Sequence, residues 1–193
     1  MKEFVEFPKM ARLSREIIVT EKIDGTNAQV CVVELDGYPA PGSVWESDGL
    51  AIFAGSRTRW ITPDSDNFGF AAWVRDNAEE LALLGPGSHF GEWWGAGIQR
   101  RYGLDHKRFS LFNVDRWGDD AARPSCCHVV PALYRGPFDT AAIDDTLDKL
   151  ARYGSVCAPG FMKPEGVVVY HTAARTGFKK TIEKDEVPKT MSA

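Results

Sequence analysis

The chain has 193 residues, 44% of them hydrophobic and 26% charged, with a formal net charge of −4. That composition suits one ordinary globular domain with a substantial core, and no internal repeat, low-complexity tract or long linker interrupts it. The acidic balance also argues against a broad nucleic-acid-binding surface, since phosphate contact needs local lysine and arginine.

Glu16–Thr20 and Asn27–Leu35 are rich in β-branched residues and flank a polar break, which predicts two strands joined through Lys22–Thr26. Gly37, Pro39, Pro41 and Gly42 make a loop, and Leu50–Ala54 returns to strand. Asp66 is the predicted N-cap of a helix over 68–84, with Phe70, Val74, Ala78 and Leu81 on its inner face and Gly85 as its stop. Strands follow at Ser88–Trp94, Arg108–Asp115 and His128–Tyr134. A second helix covers 141–153, with Ile143, Leu147, Leu150 and Ala151 inward and Gly154 at its end, before strands at Gly166–Tyr170 and Phe178–Ile182. Runs of strands with two inserted helices predict an α+β domain over 1–193, built on antiparallel sheets.

No apolar run is long enough to cross a bilayer, and Met1-Lys2-Glu3-Phe4 lacks the pattern of a signal peptide. A cytoplasmic location with no membrane partner is therefore expected. Cys31 and Cys157 stand alone, Cys126 and Cys127 are adjacent, and His89, His106, His128 and His171 do not cluster with them. Inert thiols, and not a zinc site, are the expectation.

The most informative segment is Glu21-Lys22-Ile23-Asp24-Gly25-Thr26-Asn27. A lysine becomes a nucleophile only when neutral, and a strand end beside other cations and a metal ion favours that form. Asp24 and Gly25 allow a sharp turn, while Thr26 and Asn27 offer polar groups to it and to a ligand. K-x-D-G alone arises by chance in roughly one chain in twenty of this length, and K-x-D-G-T-N in roughly one in ten thousand.

Together with five motifs further along the chain, this segment resembles the covalent nucleotidyltransferase superfamily of RNA ligases, DNA ligases and mRNA capping enzymes, and within it the RNA ligase 2 family. Ser56-Arg57, Gly91-Glu92-Trp93-Trp94-Gly95, Phe112 in the strand 108–115, Glu165-Gly166-Val167-Val168-Val169 and Phe178-Lys179-Lys180-Thr181 stand in the family's order. Val130-Pro131-Ala132-Leu133-Tyr134 and Gly136-Pro137-Phe138 resemble its connecting strand and turn, and the likeness runs from about residue 16 to 189. The resemblance implies an adenylyltransferase domain of two antiparallel sheets with flanking helices and the nucleotide cleft between them. It implies Lys22 as nucleophile, Glu165 as metal ligand and Lys179 at the α-phosphate. Glu21, Ile23, Asn27, Arg57, Glu92, Phe112 (or Phe109), Lys179 and Lys180 would bind the nucleotide. ATP with Mg²⁺ or Mn²⁺ would be the cofactors, and RNA with 5′-phosphate and 3′-hydroxyl ends the substrate.

Two departures stand out. Phe112-Asn113 replaces the family's Phe-Asp, which would pass the carboxylate's part to Asp115. Lys179 and Lys180 are adjacent where the family spaces two lysines one residue apart. The chain ends soon after the last motif, so a domain without an OB-fold is expected, either complete in itself or served by a partner protein that supplies strand binding. Phosphate contacts are expected from Arg100, Arg101, Lys107 and Lys179, within a stripe that also holds Arg108 and Lys180. A nucleotidyltransferase using another acceptor or GTP, and a binding module that has lost the chemistry, are the alternatives.

Overall fold

The computed structural model describes residues 2–183. Its elements in chain order are β1 (Glu16–Lys22), β2 (Thr26–Glu34), β3 (Trp45–Ser47), β4 (Leu50–Ser56), β5 (Trp60–Ile61), α1 (Phe70–Asp76), α2 (Ala78–Ala82), β6 (Gly87–Gly95) and β7 (Lys107–Leu111). Then come α3 (Val114–Trp117), a 3₁₀ turn at Asp120–Ala122, β8 (Cys127–Val129), β9 (Ala132–Pro137), α4 (Thr140–Tyr153), β10 (Gly166–His171) and β11 (Thr176–Thr181). They form the expected α+β arrangement of two sheets. One has four strands in the order β11-β10-β1-β9. The other has seven, β3-β4-β2-β6-β7-β8, with β5 sharing the outer edge of β4.

Each sheet covers its own core. Val30, Val32, Ile52, Ala54, Phe109 and Leu111 of the larger sheet pack against Phe70, Val74, Ala78 and Leu81 of α1 and α2. Ile17, Val19, Val167 and Val169 of the smaller sheet pack against Ile143 and Leu150 of α4. A third cluster (Ile23, Trp94, Tyr102, Val130, Ala158) fills the junction where the β1–β2 turn passes between the sheets. The opposite faces of the two sheets carry Lys22 and Glu92, which interact electrostatically, and the space they share is the candidate cleft.

Five expectations change. The first helix is two, because Asn77 takes a non-helical conformation and its side-chain amide donates to the Trp73 carbonyl at 2.7 Å, competing with the backbone ladder. Asp66 still serves the helix start from further back, accepting from the amides of Ala71 and Ala72 at 2.8 and 3.0 Å. The strand drawn from 108 to 115 ends at Leu111. Asn113 then caps α3, its side chain accepting from the Arg116 amide at 3.1 Å. The strand drawn from 128 to 134 is β8 of one sheet and β9 of the other, because Pro131 cannot donate to a ladder and the chain changes sheets there. Ala151 faces solvent, and Thr146 takes an inward position on α4. One pair is also parallel: α3 and the 3₁₀ turn carry the chain back, so β8 runs alongside β7 in the same direction.

Candidate active site

Strand alternation decides what faces the cleft. On β1, Ile17, Val19 and Glu21 point toward α4, so Ile18, Thr20 and Lys22 point the other way. Lys22 pairs with Gly166 and Thr20 with Val168, which in turn pairs with Lys179. Lys22 and Lys179 therefore share the cleft face. Glu165, just before β10, reaches the Lys22 ammonium at 2.5 Å with its side chain only 4% exposed. On the larger sheet, Asn27 pairs with Glu92, and Glu92 with Ser110. Asn27 donates to the Glu92 carboxylate at 3.2 Å and accepts from Arg57 at 2.7 Å. The two rows meet electrostatically, since Lys22, Glu165 and Asp24 all act on the Glu92 carboxyl.

The Lys22–Asn27 turn is held from several sides. The Gly25 amide donates to Glu92 at 3.0 Å, and the Asp24 amide donates to the Tyr102 hydroxyl at 2.8 Å. Arg100 donates to the Asp24 carboxylate at 3.0 Å and to the Lys163 carbonyl at 2.9 Å, tying the turn to the segment that leads into Glu165. Gly25 is required by close approach: a Cβ there would lie 2.5 Å from the Trp93 carbonyl oxygen and 2.7 Å from the Trp94 Cβ. Gly166, opposite Lys22, is likewise pressed against the Lys180 carbonyl. Both motif glycines are thus explained by packing.

Burial is the main cause pushing the Glu92 carboxyl up from 4.5 to about 7; Lys22 and the Gly25 amide oppose it, and Glu165 and Asp24 reinforce it. Folding raises this pKa, so the folded state binds the proton more tightly. The ionised form then costs stability, a cost absent well below 4.5, growing until about 7 and constant above. Glu92→Gln loses one bond at Asn27 but removes the buried charge. It should be more stable than the parent by about 2 kcal/mol at pH 8 and no more stable at pH 4. Urea unfolding at both pH values checks this, and a gap independent of pH would refute it.

Several predicted ligands fall elsewhere. The Glu21 carboxylate, 1% exposed, faces away from the cleft and accepts from the Ser155 hydroxyl at 2.6 Å and the amides of Val156 and Cys157 at 2.8 and 3.0 Å. The Ile23 side chain is core. Lys180 alternates onto the α4 face and pairs with Asp144. Phe109 is fully buried against Phe70 and Trp73, whereas Phe112 is 41% exposed on the face that carries Glu92. Asp115, in α3, pairs with Arg135 of β9. The expected basic stripe is also partly spent: Arg100 clamps Asp24, Lys107 donates to the Phe68 carbonyl at 2.8 Å, and Arg108 lies over Trp94. Nothing in the local spacing of Arg100, Tyr102 or the 155–157 loop marks them as supports of the lysine segment, since each contact spans more than 70 residues.

Among the described residues no three His, Cys, Asp or Glu side chains converge as a ready cation cage. A divalent cation in phosphoryl-transfer chemistry commonly takes one or two carboxylates and completes its shell with waters and phosphate oxygens. Glu165, buried at the cleft beside Lys22, fits that donor set. No helix among the described residues is long and apolar enough to cross a membrane.

The two-sheet fold sets a lysine, a buried glutamate and a second lysine on one side of the smaller sheet. The family model for RNA ligase matches residues 15–185, and the chain belongs to the RNA ligase family. Solved structures of a Naegleria gruberi RNA ligase are similar in fold. A substituted form with AMP and Mn matches with a TM-score of 0.59 at 20% identity, covering 88% of this chain and 50% of that one. Another, with ATP and Mn, gives 0.58 at 18%, covering 89% and 51%. The form with pyrophosphate gives 0.57 at 20%, covering 87% and 50%. This chain thus spans about half the length of these solved proteins. No curated protein sequence matches it significantly.

Proposed function

We propose that the chain is the adenylyltransferase domain of an ATP-dependent RNA ligase that forms a lysyl-AMP intermediate at Lys22. The observation that carries this reading is the Lys22–Glu165 pair at 2.5 Å, on the cleft face that Lys179 shares. Neutral Lys22 attacks the α-phosphorus of ATP. A P–N bond forms, the α–β P–O bond breaks, pyrophosphate leaves and the amine proton passes to solvent. A 5′-phosphate oxygen of RNA then attacks the same phosphorus, the P–N bond breaks and the lysine is regenerated. Finally a 3′-hydroxyl attacks the activated 5′-phosphorus and AMP departs.

The remaining residues position and neutralise. Lys179 meets the α-phosphate, Glu92, Asn27 and Arg57 fix the ribose, and Phe112 stacks on adenine. Glu165 is the residue to hold Mg²⁺ or Mn²⁺, which would offset phosphate charge and disfavour the Lys22 ammonium. The backbone of Glu21 and Ile23 lines the pocket beside the nucleophile, and Lys180 supports the sheet through Asp144.

The test is covalent. Intact mass and peptide mapping after incubation with ATP and Mg²⁺ or Mn²⁺ should place one AMP on Lys22. Lys22→Ala should abolish the adduct, and GTP should give none. An adduct on another residue, or none in the wild type, overturns the reading. Sealing assays with nicked and single-stranded RNA then identify the acceptor.

A further inference from the structure

The cleft face of the larger sheet carries a second row of side chains, of which only Phe112 has a part in the adenylyl-transfer reading. Trp60 pairs with Gly55, Gly55 with Gln29, and Gln29 with Phe90, while the Phe112 amide donates to the Phe90 carbonyl at 2.9 Å. These residues form one line across the sheet. They lie two residues along each strand from the Asn27–Glu92–Ser110 row, a separation of about 7 Å. Trp60 is 51% exposed, Phe90 56% and Phe112 41%. Phe53, on the next line out, packs its ring 5.6 Å from that of Trp60.

Resting on the RNA-ligase reading, we propose that Trp60 and Phe90 form a stacking platform for unpaired bases of a single-stranded RNA end that leaves the nucleotide pocket along this face. Three features favour RNA. Trp60 is seated: its ring comes within 3.1 and 3.2 Å of where a Cβ at Gly55 would stand, so the missing side chain lets the indole rest on the strand with a flank to solvent. An exposed indole held in place presents a flat π-face, and flat faces suit bases of any sequence. The row is continuous with the residues assigned to the ribose and adenine, so bases stacked there adjoin the bound nucleoside. No acidic side chain in these rows repels the strand. Neither the Trp60–Gly55–Gln29–Phe90 row nor the Phe53–Cys31–Ser88 row beyond it contains a charged side chain. Arg57 and Arg59 flank the Trp60 end, Arg59 fixed to the Trp60 and Ser65 carbonyls at 3.4 and 3.2 Å. Gln29, donating to Ser88 at 2.8 Å, offers amide polarity between the aromatics, which suits base edges.

The test is fluorescence anisotropy with a labelled, 5′-phosphorylated single-stranded oligoadenylate of about 12 nucleotides, alongside lysyl-AMP formation on the same preparations. The double variant Trp60→Ala/Phe90→Ala should weaken RNA binding by about 30-fold or more, as expected for two stacked bases. Trp60→Phe/Phe90→Tyr should stay within about threefold of wild type, and lysyl-AMP formation should hold within about twofold in both. Unchanged RNA affinity in the alanine variant overturns the platform. So does wild-type protein that forms lysyl-AMP but binds no RNA, and this outcome leaves the ligase reading standing. Wild-type self-association abolished by the alanine pair would assign the face to protein docking and also overturn it. RNA binding that depends on the row in a protein forming no lysyl-AMP would support the platform and sink the ligase reading.

Discussion

Glu165→Gln is expected to slow AMP transfer to Lys22 by about 100- to 1,000-fold, the size seen when one preorganised charged group is lost from a reacting site. The glutamate is almost wholly buried and its oxygen lies 2.5 Å from the Lys22 ammonium. Gln keeps the shape but removes the negative charge that would hold a divalent cation, and it can turn an amide N–H toward the ammonium. Single-turnover incorporation of labelled AMP at saturating ATP and metal reads the effect, with urea unfolding as a control for the fold. Glu92→Gln should act mainly on KM for ATP, because a ribose contact orients the substrate without neutralising phosphate charge. A Glu165→Gln enzyme within about threefold of wild type would reduce Glu165 to an ion-pair partner of the lysine.

Glu21→Ala should be the most destabilising single change at the site, lowering unfolding free energy by about 3–4 kcal/mol. Its carboxylate is a fully buried acceptor for one hydroxyl and two backbone amides of the 155–157 segment. Alanine leaves those donors without their partner and opens a cavity beside β1. Gln keeps one acceptor oxygen and should lose about half as much. The reading is the urea midpoint at constant slope. If the carboxylate instead touched the nucleotide, the midpoint would hold and KM for ATP would rise.

The candidate site was legible because the covalent chemistry proposed for it constrains residue type over a short span. Lys22, Asp24 and Gly25 must be neighbours, and the β-branched runs on either side announce the two strands that carry them. The order of Glu92, Phe112, Glu165 and Lys179 after that motif then pointed to one cleft. The packing partners of those residues were less visible. Asn77 divides a helix whose apolar periodicity runs unbroken, since a side-chain amide competing for one carbonyl leaves no trace in the pattern. Pro131 marks a change of sheet inside a run that reads as one strand.

The sequence by itself therefore determined the lysine-bearing turn between two strands, the α+β class, both helical faces apart from Ala151, and membership of a family. Only the tertiary structure decided between adjacent residues. Glu21 and Lys22, or Lys179 and Lys180, project to opposite faces of their strands. Which face is the cleft depends on where α4 packs, a contact made by residues far away in the chain. The same holds for Arg100, whose link from Asp24 to the Lys163 carbonyl spans 76 and 63 positions. Alternation sets pairs of possibilities locally, and long-range burial of one face selects among them.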